Sequence, residues 1–186
     1  MYISPLYKDS DWKALNLGTQ SDWRKAVRMV EDRLNARFFG AVKPIDKQEF
    51  AGFAVLALDC LLIETLQQFR EGADETPRRK GEQYFVDFLT TAPFSAYFSK
   101  AAAAKFYDHF RCGILHQAEI KSSSKVRRNG QLVAPTPDGN GLIINRKEFH
   151  ATLRKAFAAY LRALRNRSDA LLCRNFVKKM DFICNR

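Results

Sequence analysis

Residues 46–70 constrain the fold more than any other stretch of the chain. Phe50, Phe53, Ala54, Ala57, Leu58, Leu61, Leu62, Leu66 and Phe69 recur there at helical spacing. Together they make an apolar face wider than the single stripe of a surface helix, so this helix has to be surrounded by others. Asp46 is placed to cap it, and Gly72 to stop it. Two carboxylates, Asp59 and Glu64, interrupt the longest apolar run, Phe50 to Leu66, which predicts that no run is long enough to cross a membrane and that no membrane is a partner. Their five-residue spacing does not pair them on one face. A carboxylate carried into the core there either neutralises a core arginine or orients a functional side chain from behind.

The rest of the chain supplies the surrounding helices. Ser21-Asp22 signals a helix start, followed by Trp23, Val27, Val30, Leu34 and Phe38 at helical spacing up to Gly40, with a turn at Lys43-Pro44. A polar loop over 72–81 precedes a short helix over 82–89, which breaks at Pro93. The next helix begins near Ser95 and runs through Ala101–Ala104 to about Gln117. Phe149, Leu153, Phe157, Tyr160, Leu161 and Leu164 mark a long helix from about Lys147. A break near 166–169 separates it from a last helical piece with Leu172, Phe176, Met180 and Ile183. Between them, residues 122–146 change character: Asn129-Gly130 predicts a hairpin joining 125–128 to 131–134, and a third short strand follows at 142–144. The first twenty residues read as an irregular arm. The expectation is one mainly α domain over residues 1–186, an up-down bundle of four to five helices with a small β-hairpin insertion near 124–145.

Charge divides the chain in two. Residues 1–93 hold 13 Lys and Arg against 14 Asp and Glu, whereas 94–186 hold 18 against 6, a net +12. A basic half of this kind suits an anionic partner, nucleic acid first, or else a solvated basic surface. The four cysteines form no CxxC pair and read as free thiols of a reducing compartment. With no signal-peptide pattern at Met1-Tyr2-Ile3-Ser4-Pro5, the expected location is the cytoplasm.

One short segment in the basic half carries residues suited to chemistry. Arg111-Cys112-Gly113-Ile114-Leu115-His116 has the form Arg-x4-His. A histidine can act as general base on a ribose 2′-hydroxyl or as general acid on the leaving oxygen. An arginine can neutralise the charge that builds on a phosphorane, and its fork matches phosphate oxygens. Five residues of ideal α-helix rotate a side chain by roughly 140°. The pair therefore meets only if the helix loosens near Gly113, or if both reach into a cleft shared with a second protomer.

Arg-x4-His near the end of a helix, in a small chain of four to five helices, resembles the HEPN superfamily. As architecture the resemblance spans residues from about 21 to 183; as a motif it is confined to Arg111–His116. It implies a metal-independent endoribonuclease in which Arg111 stabilises the phosphate and His116 is the acid/base, with no cofactor and no metal. It also implies a homodimer whose two motifs line one composite cleft, 2′,3′-cyclic phosphate products, and a toxin–antitoxin or other defence setting with a possible antitoxin or partner protein. The family often places a polar residue directly after the arginine, where this chain has Cys112. The superfamily also has non-catalytic members that bind nucleic acid, nucleotide or a partner protein.

Around the motif, Glu64, His109 and Glu119 are candidate supporting residues, and Lys121, Lys125, Arg127 and Arg128 form a candidate strip for the RNA backbone. His109, Cys112 and His116 fall on one helical stripe, but no fourth ligand is evident and the stripe reads as core or interface rather than zinc. Phe106, Tyr107 and Phe110 read as core, and His150 as a surface residue at a helix start.

Overall fold

The computed structural model describes residues 1–185. Its helices, in chain order, are α1 (Asp9–Lys13), α2 (Gln20–Leu34), α3 (Gly40–Ile45), α4 (Gly52–Glu71), α5 (Gly81–Leu89), α6 (Lys100–Phe106), α7 (Gly113–Gln117), α8 (Arg146–Asn166) and α9 (Ala170–Cys184). The strands β1 (Lys125–Arg127), β2 (Val133–Pro135) and β3 (Leu142–Asn145) form one small sheet. The protein is thus mainly α with a minor sheet.

Helix α4 has the role that its wide apolar face demands: it packs against α5, α8 and α9. It buries Val55, Leu56, Leu62, Ile63, Leu66 and Phe69, and with them Asp59 and Gln67. Gly72, left-handed at φ 62°, ends it. By length and composition alone α4 does suffice to cross a membrane, with a mean hydropathy of 1.4 over 18 residues, which corrects the expectation from sequence. In this fold 56% of that stretch is buried against the protein.

Several boundaries also differ from the sequence reading. Thr19, not Ser21-Asp22, caps α2, its hydroxyl accepting from the Asp22 amide. The chain does not turn at Lys43-Pro44. It passes from α2 through a π turn (Asn35–Phe39) into α3, with Pro44 inside. Pro44 cannot donate to the Gly40 carbonyl four residues back, and α3 ends one residue after it, at Ile45. Asp46 therefore stands at the C-terminal end of α3 instead of at the start of α4, which begins six residues later. The helix expected from Ser95 starts at Lys100, capped by Ser99, after a single 3₁₀ turn at Phe94–Ala96. The N-terminal arm is not wholly irregular: it contains α1 and an antiparallel bridge between Tyr2 and Lys8.

The insertion contains a hairpin, but not the expected one: β2 and β3 pair antiparallel, whereas β1 and β2, on either side of Asn129-Gly130, do not pair. Strand order is β1-β3-β2, with β3 parallel to β1 (Lys125 opposite Ile143) and antiparallel to β2 (Val133 opposite Ile144). The apolar strand takes the centre because it is the one the core can bury. Leu142, Ile144 and Asn145 are buried, whereas Lys125 and Arg127 are exposed. A central position satisfies β3 on both sides and leaves the charged strand at an edge. Asn129-Gly130 still turns the chain, with Gly130 at φ 92°, and Asn145 holds that turn by donating to the Gly130 carbonyl.

Phenylalanines fasten the motif region to the core. Phe106 stacks on Phe110 and on Phe149 of α8, each with centroids 5.0 Å apart, and Phe94 meets Phe149 at the same distance. The expectation that Phe106 and Phe110 are core is correct, since both are fully buried. Removing the Phe106 ring leaves a cavity among Phe85, Phe98, Phe110 and Phe149, so Phe106→Ala should cost about 3–5 kcal/mol. Thermal unfolding should show a melting temperature lower by on the order of 10 °C, conversions for a chain of this size being about 2–4 °C per kcal/mol.

Candidate functional site

The helix that carries the motif is irregular just where the motif begins. After α6 it widens into a π turn over Tyr107–Cys112 and then resumes as α7. Such turns are rare and alter which side chains share a face. The loosening needed near Gly113 therefore lies immediately before it, and it lets the long Arg111 side chain meet a residue five positions on. Arg111 Nη1 stands 3.0 Å from His116 Nε2. A guanidinium only donates, so Nε2 must present its lone pair, and the imidazole in this pairing is neutral. His116 is exposed, while Arg111 is partly buried.

Glu64, from the middle of α4, holds the other arm of the fork. Arg111 Nη2 donates to Glu64 Oε2 at 3.0 Å, and both side chains are less than one-fifth exposed. Glu64 is itself fixed from behind: Thr76 donates to Oε1 at 2.7 Å, and Gln68 Nε2 donates to Thr76 at 2.9 Å. Burial acts against the arginine's charge, but the Glu64 carboxylate outweighs it and holds Arg111 above its ordinary value. The Arg111 guanidinium also lies 5.6 Å from the centre of the Tyr107 ring. Burial pushes the Tyr107 phenol up. The Tyr107 hydroxyl presses on Gly81, where a Cβ would come within 2.5 Å, so the start of α5 closes over the motif turn. Glu64 was legible as a buried carboxylate in need of a partner. Thr76, Gln68 and Tyr107 carry no signal in the sequence, because the loop over 72–80 reaches Glu64 only through the fold.

Gly113 is required by the chain's return. Beyond α7, Ala118 turns left-handed (φ 55°), and the Glu119 carbonyl lies where a Gly113 Cβ would be, 2.4 Å away. The Glu119 amide bonds the Gly113 carbonyl, and the Lys121 amide bonds that of His109. Glu119 thus supports the turn through its backbone, and its side chain is exposed rather than placed at the Arg–His pair.

His109 also lies outside the pair. Its Nδ1 meets the Ser124 hydroxyl at 2.8 Å, and Ser124 accepts from the Leu142 amide, so it ties the π turn to the sheet. Burial pulls the His109 pKa down, against Asp108. Among the described residues no cluster of three His, Cys, Asp or Glu is placed to hold a metal, and the His109–Cys112–His116 stripe does not form one. Lys121 bonds Asp108 at 2.7 Å, whereas Lys125, Arg127 and Arg128 are exposed on and just after β1. Arg127 and Arg128 edge a surface depression of about 620 Å³.

Asp59 does not reach the motif. It bonds His150 Nδ1 at 2.7 Å, and burial raises its pKa despite that bond. His150 is accordingly mostly buried, against the surface position expected of it. No family model, no curated protein and no solved structure matches the chain.

The His109 arrangement has a pH consequence. A histidine whose folded pKa is depressed stabilises the fold above its unfolded value of about 6.5, and that contribution is lost as pH falls through the lower folded value. Thermal melts from neutral to mildly acidic pH should therefore show wild type losing more stability than His109→Asn. Parallel pH profiles would refute the assignment.

Proposed function

We propose that the chain is a HEPN-like helical bundle acting as a metal-independent endoribonuclease. The observation that carries this reading is the contact between an exposed His116 Nε2 and Arg111 Nη1, with Glu64 holding the same guanidinium. In the proposed step, His116 takes the proton of a ribose 2′-hydroxyl, and the 2′-oxygen forms a bond to the adjacent phosphorus. Arg111 neutralises the charge on the phosphorane. The phosphorus–5′-oxygen bond then breaks, the 5′-oxygen takes a proton back from the imidazolium, and a 2′,3′-cyclic phosphate remains. At rest the Nε2 lone pair faces Arg111. An incoming phosphate draws that arm of the fork to itself, which frees the base at the moment it is needed.

A homodimer with both motifs in one cleft would supply a second histidine to protonate the leaving oxygen. The reading includes a cytoplasmic toxin or defence setting, with an antitoxin or other protein partner. A second reading follows from Cys112, which stands directly after the motif arginine, where the family often has a more polar residue. It makes the chain a non-catalytic module that binds nucleic acid, nucleotide or a partner protein.

An RNase assay in EDTA separates the two. Wild type should cleave RNA to cyclic phosphate ends, and Arg111→Ala or His116→Ala should lower the rate by about 10²–10⁴ with folding and RNA affinity kept. Well-folded wild type that leaves RNA intact would give the binding reading its place. Glu64→Gln retains the shape of the side chain but removes its charge. It should lower the cleavage rate by roughly tenfold with little change in RNA affinity, as is typical when a partner that orients a functional group is lost.

A further inference from the structure

A second basic surface lies away from the Arg111–His116 pair and from the strip on β1. Helices α2 and α8 pack side by side, and two adjoining depressions of about 790 and 330 Å³ follow the groove between them. Five cations line it: Arg24 and Arg28 from α2, and Arg154, Lys155 and Arg165 from α8. Its one lining carboxylate, Glu31, is already bonded to Arg165 at 2.5 Å. Arg24, Arg28 and Lys155 are exposed and, among the described residues, have no ion-pair partner.

The cations run along the groove. Arg24 and Arg28 are one helical turn apart on one face, and Arg154 and Arg165, eleven residues apart, share a face of α8 at a rise of about 16 Å. The floor is sealed. Phe39, Phe157 and Leu161 are each under 5% exposed, Phe39 and Phe157 stack at 5.4 Å, and the Arg154 guanidinium covers Phe39.

We infer that the α2–α8 groove binds the phosphate backbone of single-stranded nucleic acid, independently of sequence. Charge complementarity selects an anion, and four of the five cations are arginines, whose planar forks match phosphate oxygens. A protein partner would need an apolar centre to bury, and the sealed floor offers none. A concave channel between two helices suits a single strand, whose backbone it can track with positive charge on both walls. The inference does not require Arg111 or His116 to be catalytic. It gives the chain a strand-binding surface separate from the Lys121–Arg128 strip.

The test measures binding of labelled oligouridine RNA by fluorescence anisotropy over a range of salt. The protein carries His116→Ala, so that cleavage cannot intrude. The pair Arg24→Gln/Arg28→Gln should weaken binding by about tenfold and reduce the slope of log affinity against log salt by about 1.4, two contacts at roughly 0.7 each. The pair Arg154→Gln/Lys155→Gln, from the opposite wall, should do the same, whereas Lys43→Gln/Lys47→Gln, exposed and away from both basic surfaces, should change little. All six positions are exposed, so each variant should melt close to the parent. Unchanged affinity and slope in both groove pairs would overturn the inference, as would an equal loss in Lys43→Gln/Lys47→Gln. Groove substitutions that abolish binding of polyglutamate but spare RNA would overturn it in favour of an acidic protein.

Discussion

Helix α4 carries two carboxylates toward the interior, and the positions of its neighbours follow from how each is met. A charge left unpaired in a protein core costs several kcal/mol, so each carboxylate needs a positive or hydrogen-bonding partner. Asp59 is met by His150 at the start of α8, and Glu64 by Arg111 in the π turn. These two contacts join α4 to the helix behind it and to the motif in front of it. The apolar face determines that α4 is central. The carboxylates determine which side chains come to it.

The motif turn is held from several directions at once. Phe106 and Phe110 anchor it in the aromatic core, His109 ties it to the sheet through Ser124, and the return over Gly113 closes its far side. Glu64 and Thr76 then fix the guanidinium in the one arm that does not face His116. His116 is left exposed beside the second arm of the fork. A pair presented in this way by a rigid surround is suited to a reaction in which positioning and charge neutralisation do most of the work.

The molecule's positive charge serves two separate surfaces. The strip on β1 is an edge strand, and charged side chains there also keep the sheet from pairing with another chain. The α2–α8 groove has no such structural duty. Arg24, Arg28 and Lys155 support no helix end and pair with no carboxylate among the described residues. Half-chain totals obscured it, because α2 belongs to the charge-balanced half and α8 to the basic one.

By itself the sequence determined the helices, their apolar faces and the Arg-x4-His segment, because helical periodicity and residue chemistry are local properties. It also marked Glu64 as a charge in need of a partner. It misplaced features that depend on distant residues. The hairpin signal at Asn129-Gly130 yields to β3, which takes the central position because Leu142 and Ile144 can be buried there. The turn expected at Pro44 yields to a π turn continuous with α3. Only the tertiary structure decided that Arg111 and His116 meet, since ideal helical geometry separates them and a π turn held by packing brings them together. Likewise, only packing could bring α2 and α8, more than a hundred residues apart in the chain, into one basic groove.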